Sequence, residues 1–86
     1  MTPTYKELDT VVLVRDVPDA GLRAGDLGAV VGVYGPAAAP EALEVEFVTL
    51  AGRTQALRTL DVADVRPTAG DDLPAVRPTA GVPGAA

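Results

Sequence analysis

Two glutamates are the clearest candidates for chemistry in this chain. Glu44 and Glu46 alternate with the apolar residues of the segment Leu43-Glu44-Val45-Glu46-Phe47-Val48. Residues two apart in a strand share a face, so both carboxylates are predicted to point to the same side. Such a pair could bind a cation or act as general acid and base. The catalytic role usually requires carboxylates that converge across a cleft and at least one raised pKa. An exposed strand supplies neither condition, so a solvated, edge-protecting face is the favoured interpretation.

The residue types on which most enzymes depend are absent. The 86-residue sequence contains no Cys, His or Ser. A thiolate nucleophile, a serine triad, a histidine general base and a Cys/His metal site are therefore excluded within this chain. Threonine, tyrosine, the carboxylates and Lys6 remain as possible catalytic groups. We predict no catalytic residue, no cofactor and no metal ligand, and expect the protein not to be an enzyme.

A glycine-rich segment precedes a valine-rich one. Gly21, Gly25 and Gly28 have neither the spacing of a dinucleotide-binding fingerprint nor that of a P-loop, and no helix signal follows them. A structural turn is therefore favoured over a phosphate cradle, with Gly25 and Gly28 where the chain turns tightly. Asp26 is expected to accept hydrogen bonds from turn amides rather than to bind a metal.

The charge of the chain favours a protein partner over nucleic acid. The formal net charge is -5, and the arginines are scattered instead of forming the basic patch of a nucleic-acid-binding protein. An acidic surface suits plain solubility or a basic protein partner. No apolar run approaches the ~20 residues that span a bilayer, and no signal peptide is visible. We expect a cytoplasmic protein, and the bias toward Ala, Gly, Pro, Val and Arg indicates a GC-rich bacterial genome.

Short apolar segments separated by turn signals predict an all-β domain over residues 5–67. The expected strands span residues 9–15, 29–34, 43–48, 54–60 and 65–66. Gly32 is expected to mark a bulge, and residues 60–64 a short 3₁₀ turn before the last strand. Five short strands with glycine at the corners are typical of a small SH3-like barrel.

The predicted core consists of the larger apolar residues of these segments. Its members are Val12, Val14, Leu22, Leu27, Val30, Val31, Val33, Leu43, Val45, Phe47, Leu57, Leu60, Val62 and Val65.

The C-terminal residues 68–86 differ in composition. They are rich in Pro, Gly and Ala, and they contain a second copy of a hexapeptide: Val65-Arg66-Pro67-Thr68-Ala69-Gly70 recurs as Val76-Arg77-Pro78-Thr79-Ala80-Gly81. With few sizeable apolar side chains the segment cannot offset its ordering entropy. We predict a disordered tail. It contains no Pro-x-x-Pro motif that would favour a ligand for a proline-binding module.

The ordered part resembles a family of small bacterial proteins of unknown function. The resemblance covers residues 5–67. It is carried by Leu8-Asp9-Thr10-Val11-Val12-Leu13, by Gly21-Leu22 with Gly25-Asp26-Leu27-Gly28-Ala29-Val30-Val31, by Val45-Glu46-Phe47, by a turn at Gly52 and by the closing segment of residues 60–67. It implies an SH3-like barrel without a catalytic signature, and members encoded beside small partner genes, sometimes in toxin–antitoxin-like pairs. More distantly, the glycine segment is similar to the KOW motif of NusG and ribosomal proteins. It also resembles the barrels of the nitrile hydratase β-subunit and the photosystem I PsaE subunit.

These observations favour a non-enzymatic protein-binding module, the antitoxin-like half of a two-gene pair, with a basic partner encoded nearby. The alternatives are a KOW-like nucleic-acid-associated module, which the missing basic loops disfavour, and an accessory subunit of an enzyme. The partner would contact exposed faces and loops. The candidate partner-binding residues are Asp16, Asp19, Arg23, Tyr34, Glu44, Glu46, Arg53 and Arg58.

Overall fold

A computed structural model of the chain describes residues 3–79 and confirms the all-β prediction. Its strands are β1 (Thr10–Leu13), β2 (Leu27–Tyr34), β3 (Ala42–Val48), β4 (Thr54–Asp61) and β5 (Val65–Pro67). The predicted 3₁₀ turn before the last strand is present as Val62–Asp64, and another, Pro18–Ala20, lies between β1 and β2. Within the described residues, no helix has the length and hydrophobicity required to cross a bilayer.

The strands form one antiparallel sheet in the order β4-β3-β2-β1-β5. Strand β3 is therefore internal, with β2 on one side and β4 on the other. The prediction that Glu44 and Glu46 protect a sheet edge is wrong, because neither lies on an edge strand. An internal strand already has both sets of backbone hydrogen bonds satisfied.

Alternation along β3 places one side of the strand in the core, as predicted. Leu43 and Val45 are fully buried, and Phe47 beside them is almost so. Partners from the other strands complete this core, among them Val30 of β2, Leu60 of β4 and Val65 of β5. The predicted bulge at Gly32 is confirmed, because the β2–β3 register shifts between Val30 and Gly32.

The orientation of β1 is the reverse of the prediction. Val11 and Leu13 point into the core, whereas Val14 is exposed. Val12 is buried on the opposite face, between its register partners Leu27 and Arg66. The run Val11-Val12-Leu13-Val14 has no polar residue at alternate positions, so its composition does not select which residues face inward.

Several other core predictions need correction. Leu27, Val31 and Leu57 are exposed, and Val33 and Val62 are only partly buried. Val31 faces outward because it follows the inward-facing Val30 in the strand. The bulge changes the alternation only after this point, so that Val33 pairs with the core residue Leu43. Besides Val11 and Leu13, the core contains two further residues that were not predicted, Tyr5 and Val17.

The second and third glycines of the Gly-x-x-x-Gly-x-x-Gly segment, Gly25 and Gly28, have different roles. Gly25 lies in the turn before β2 and has φ +96°. This is a left-handed backbone conformation, which glycine adopts readily and other residues do not. Gly28, however, lies within β2 and not in a turn. A Cβ atom at this position would be 2.5 Å from Val45 Cγ1 and 2.9 Å from Phe47 Cε1. Close packing against the core, rather than chain reversal, is therefore what requires glycine at residue 28.

An ion pair and a capping box hold the segment before β5. Asp61 and Asp64 form the capping box of the second 3₁₀ turn, in which the Asp61 carboxylate accepts from Ala63 N–H at 2.9 Å. Arg15 donates from Nε to Asp64 Oδ1 at 2.7 Å. That hydrogen bond lowers the pKa of Asp64 below its usual range despite partial burial. These contacts position Val65 so that it enters the core.

Residues 68–79 follow β5 without forming a helix or strand. Asp72 closes a turn by accepting two hydrogen bonds from the Arg66 guanidinium and one from Ala69 N–H. The chain then returns to the first half of the domain, where Arg77 contacts Asp26. Part of the segment predicted to be disordered therefore contacts the sheet domain, while residues 80–86 lie outside the described residues.

Candidate functional site

Three of the eight predicted partner-binding residues lie on one face of the sheet. Strand register places Tyr34, Glu44 and Glu46 on the side opposite the core, together with Leu57 and Thr59 of β4. We call these five residues the outer face. Tyr34 is 48% and Leu57 53% exposed, whereas the two glutamates are half-buried. The outer face thus combines two carboxylates with exposed apolar area.

Hydrogen bonds orient both carboxylates of the outer face. The Tyr34 hydroxyl donates to Glu44 Oε1 at 3.2 Å, and Thr54 Oγ1 donates to Glu46 Oε2 at 2.7 Å. The hydrogen bond to Glu44 and the negative charge of its carboxylate raise the pKa of Tyr34 above its ordinary value. The four ion pairs within residues 3–79 all use aspartates, and neither glutamate takes part in one.

Asp19 and Arg58 lie away from the outer face. Arg58 is the register partner of Val45, a core residue, so its side chain leaves β4 on the core side. From there Nη2 donates to Asp19 Oδ2 at 3.0 Å in the first 3₁₀ turn. This ion pair is exposed and links the segment between β1 and β2 to the edge strand β4.

The remaining three predicted residues belong to connections between strands. Asp16 accepts from Ala24 N–H at 2.9 Å and so closes the β1–β2 connection. Arg23 lies in the same connection, and Arg53 lies in the β3–β4 hairpin, where its N–H donates to Thr49 Oγ1. The structure thus distributes the eight candidates among the outer face, an ion pair on the core side and two connections.

A second site, absent from the predicted set, is centred on Asp26. The Asp26 carboxylate accepts from Arg23 N–H at 2.8 Å, which confirms its predicted role in the turn. It also accepts two hydrogen bonds from Arg77, including Nε to Oδ1 at 3.1 Å, while Arg77 Nη2 donates to the Gly21 carbonyl at 3.0 Å. Partial burial opposes ionisation of Asp26, but the donors from Arg77 and Arg23 outweigh it and lower its pKa.

A groove of about 480 Å³ lies beside this ion pair. Residues 74–79, which we call the Arg77 segment, form one wall. The rest of the lining is mainly apolar. It consists of Leu22, Gly25, Leu27, Phe47, Val48 and Leu50, with Asp26, Thr49 and Gln55 as polar members.

Sequence reasoning missed this site because it treated residues 68–86 as a separate tail. One signal was available: the hexapeptide repeat places Arg66 and Arg77 in identical contexts. Each guanidinium binds an aspartate, Arg66 the nearby Asp72 and Arg77 the distant Asp26. The repeat shows that an arginine is available in the segment, but the sequence does not show which carboxylate it reaches.

Metal binding has no structural candidate in the described part of the chain. Residues 3–79 contain no group of three or more His, Cys, Asp or Glu side chains arranged to hold a metal ion. The carboxylates of the outer face are instead held by Tyr34 and Thr54. Chemically, the outer face presents hydrogen-bond acceptors and negative charge beside exposed apolar area.

Fold and sites together define a small antiparallel β domain with two acidic–apolar surface sites. The chain belongs to the family described as a domain of unknown function, DUF4926, whose sequence profile matches residues 7–67. The match covers the sheet and ends at the last residue of β5, so it excludes the Arg77 segment. No curated protein and no solved structure matches the chain.

Proposed function

We propose that this chain is a protein-binding module without catalytic activity, and that the outer face receives a basic, amphipathic segment of a partner protein. The observation that carries the proposal is the state of Glu44 and Glu46. Both residues are half-buried and their carboxylates are oriented by surface hydrogen bonds, yet no arginine or lysine among residues 3–79 forms an ion pair with them.

The outer face selects the chemistry of the partner. A lysine or arginine can form charge-assisted hydrogen bonds with Glu44 and Glu46, which are stronger than those between neutral groups. Exposed Tyr34 and Leu57 offer apolar area to the neighbouring side chains of the same segment. Because β3 is internal, edge protection does not account for the two carboxylates.

The net charge of -5 supports the same proposal at long range. An acidic domain attracts a basic partner and accelerates its association, and salt screens that attraction. The resemblance to families encoded in two-gene pairs suggests a specific context. In that context the chain is the antitoxin-like member, a cytoplasmic bacterial protein with an SH3-like barrel, and its partner is encoded next to it.

The test is a quantitative pull-down of the tagged full chain from its native lysate at ~50 mM and ~500 mM salt, with mass spectrometry. The proposal expects one stoichiometric basic protein, retained at low salt and lost at high salt. The double variant Glu44→Gln/Glu46→Gln is expected to lose this protein. Glu7→Gln/Asp71→Asn changes the net charge equally at exposed positions elsewhere and is the matched control.

Three outcomes contradict the proposal. Equal retention by the two double variants would show that total charge, and not the outer face, determines binding. Retention of no protein at either salt concentration would show that the chain forms no stable complex with a partner in this lysate. Retention of RNA or DNA by the wild-type chain at ~50 mM salt would favour the KOW-like alternative instead.

A further inference from the structure

We infer that the groove beside Asp26 is a docking site for an extended, arginine-bearing segment of a partner protein. In the isolated chain the Arg77 segment takes that place. This inference is independent of the outer face, since the two sites share no residue. It rests on the contacts of Asp26, on the lining of the groove and on the manner in which the Arg77 segment is attached.

Asp26 is positioned by groups that do not belong to the Arg77 segment. Its carboxylate is held by Arg23 N–H, and its carbonyl accepts from Leu13 N–H at 2.9 Å. The preceding Gly25 N–H donates to the Leu13 carbonyl at 2.7 Å. The acceptor is thus anchored to β1 before any guanidinium arrives, and preorganisation of this kind lowers the cost of binding.

The observed occupant defines the ligand chemistry. A guanidinium bonds to both oxygens of Asp26 and to the Gly21 carbonyl, which uses the fork geometry that distinguishes arginine from lysine. Gly21 can present its carbonyl there because it has φ +70°. An arginine supplied by another chain would meet the same three acceptors.

The Arg77 segment is attached mainly through this one side chain. Within residues 74–79, the side-chain hydrogen bonds to the sheet domain all come from Arg77. Val76 beside it is 88% exposed, so it contributes little apolar burial. A segment held in this way can detach without disturbing the core.

The Arg77 segment does not fill the space next to it. About 480 Å³ remains between this segment and the sheet domain, where Leu27, Val48 and Leu50 are the exposed apolar side chains. Leu50 is 98% exposed. A partner segment with apolar side chains next to its arginine would fill this space, whereas the Arg77 segment leaves it open.

Because the Arg77 segment already binds Asp26, a partner segment must compete with it for the site. A tethered segment acts at an effective concentration of the order of mM, so a free ligand binds the wild-type chain with reduced apparent affinity. Removing the Arg77 guanidinium should release the site. We expect a peptide with the sequence of residues 72–79, blocked at both ends, to bind the full-length Arg77→Ala variant about tenfold more tightly than the wild-type chain.

The experiment is a titration of this peptide into ¹⁵N-labelled full-length chains, followed by amide shifts of Gly21, Asp26 and Leu27. The same peptide with alanine in place of its arginine should not bind. The double variant Arg77→Ala/Asp26→Asn should not bind the original peptide. Asparagine retains an acceptor for Arg23 N–H, so the turn is preserved, and the dispersed amide spectrum verifies folding.

The outcomes separate this inference from the proposed function. Glu44→Gln/Glu46→Gln combined with Arg77→Ala should bind the peptide as tightly as Arg77→Ala alone. No binding to Arg77→Ala, or equal binding when Asp26 is replaced, would overturn the inference. A concentration-dependent dimer of the wild-type chain that Asp26→Asn dissociates would also overturn it, because the occupant would then be a second copy.

Discussion

A β-carbon on Gly28 would lie 2.9 Å from Cε1 of Phe47, closer than real Cβ contacts allow. The same atom would lie 2.5 Å from Val45 Cγ1, so neither neighbour can accommodate it without moving in the core. Gly28→Ala is therefore expected to destabilise the fold by about 1–3 kcal/mol, the usual cost of overpacking. Urea denaturation measures the change. Gly70→Ala, where no atom lies within 4 Å of the added carbon, is the control and should change stability by less than ~0.5 kcal/mol.

Phe47, whose ring lies next to Gly28, is itself a core residue. It is buried in the core, whereas its neighbour Val48 is 55% exposed. Phe47→Ala should cost about 3–5 kcal/mol, because it removes a large buried side chain and leaves a cavity. In a domain of this size that loss unfolds much of the population. Thermal melts of Phe47→Ala and Val48→Ala compare the two positions, and similar midpoints would contradict the core assignment.

The inward residues of β1 can be distinguished by a matched pair of substitutions. Leu13 is almost fully buried, and Val14 is exposed. Leu13→Ala should cost about 2–5 kcal/mol, and Val14→Ala should have a small effect. Chemical denaturation of both variants gives the comparison. A larger loss at Val14 would restore the orientation that the sequence suggested.

Acid is expected to weaken the segment before β5. The hydrogen bond from Arg15 lowers the pKa of Asp64 below its ordinary value of 3.8, so the stabilisation is complete above that value. It is lost as the pH falls through the lowered pKa in the folded state. Asp64→Asn should cost about 1 kcal/mol at pH 7 and should flatten the loss of stability as the pH falls below the ordinary carboxyl pKa of 3.8.

Urea midpoints at several pH values measure this effect. Glu7→Gln, an exposed carboxylate outside the ion pairs of residues 3–79, is the control. It should leave the pH dependence unchanged. An Asp64→Asn variant that loses stability with acid as steeply as the wild-type chain would contradict a stabilising role for the Arg15–Asp64 pair.

The contact between Tyr34 and Glu44 can be tested by titration. The hydrogen bond to Glu44 raises the pKa of Tyr34, and burial raises that of Tyr5. Glu44→Gln removes the negative charge that opposes the phenolate, so the pKa of Tyr34 should fall while that of Tyr5 stays unchanged. The chain has two tyrosines and no tryptophan, so absorbance at alkaline pH, with a Tyr5→Phe variant for assignment, resolves them. If the titration curve of Tyr34 were the same in Glu44→Gln as in the wild-type chain, the hydrogen bond between Tyr34 and Glu44 would be absent in solution.

The local patterns of the sequence were sufficient for much of the fold. Alternation in β3 fixed the inward positions of Leu43, Val45 and Phe47, because polar residues separate them and only one orientation buries the apolar set. The bulge at Gly32 and the 3₁₀ turn before β5 were also predictable, since glycine and the Asp61-Val62-Ala63-Asp64 segment act locally. The placement of Glu44 and Glu46 on one outward face follows from the same alternation.

Tertiary structure decided what local patterns leave open. In the continuous apolar run of residues 11–14, either set of alternate side chains could face the core. The packing of the whole sheet therefore determines whether Leu13 or Val14 is buried. Strand order made β3 internal, which no property of its own residues reveals. The Arg77–Asp26 contact joins residues 51 positions apart. Composition determined that the C-terminal segment is poor in large apolar side chains, but the fold determined which carboxylate its arginine reaches, because long-range ion pairs depend on chain path and not on sequence spacing.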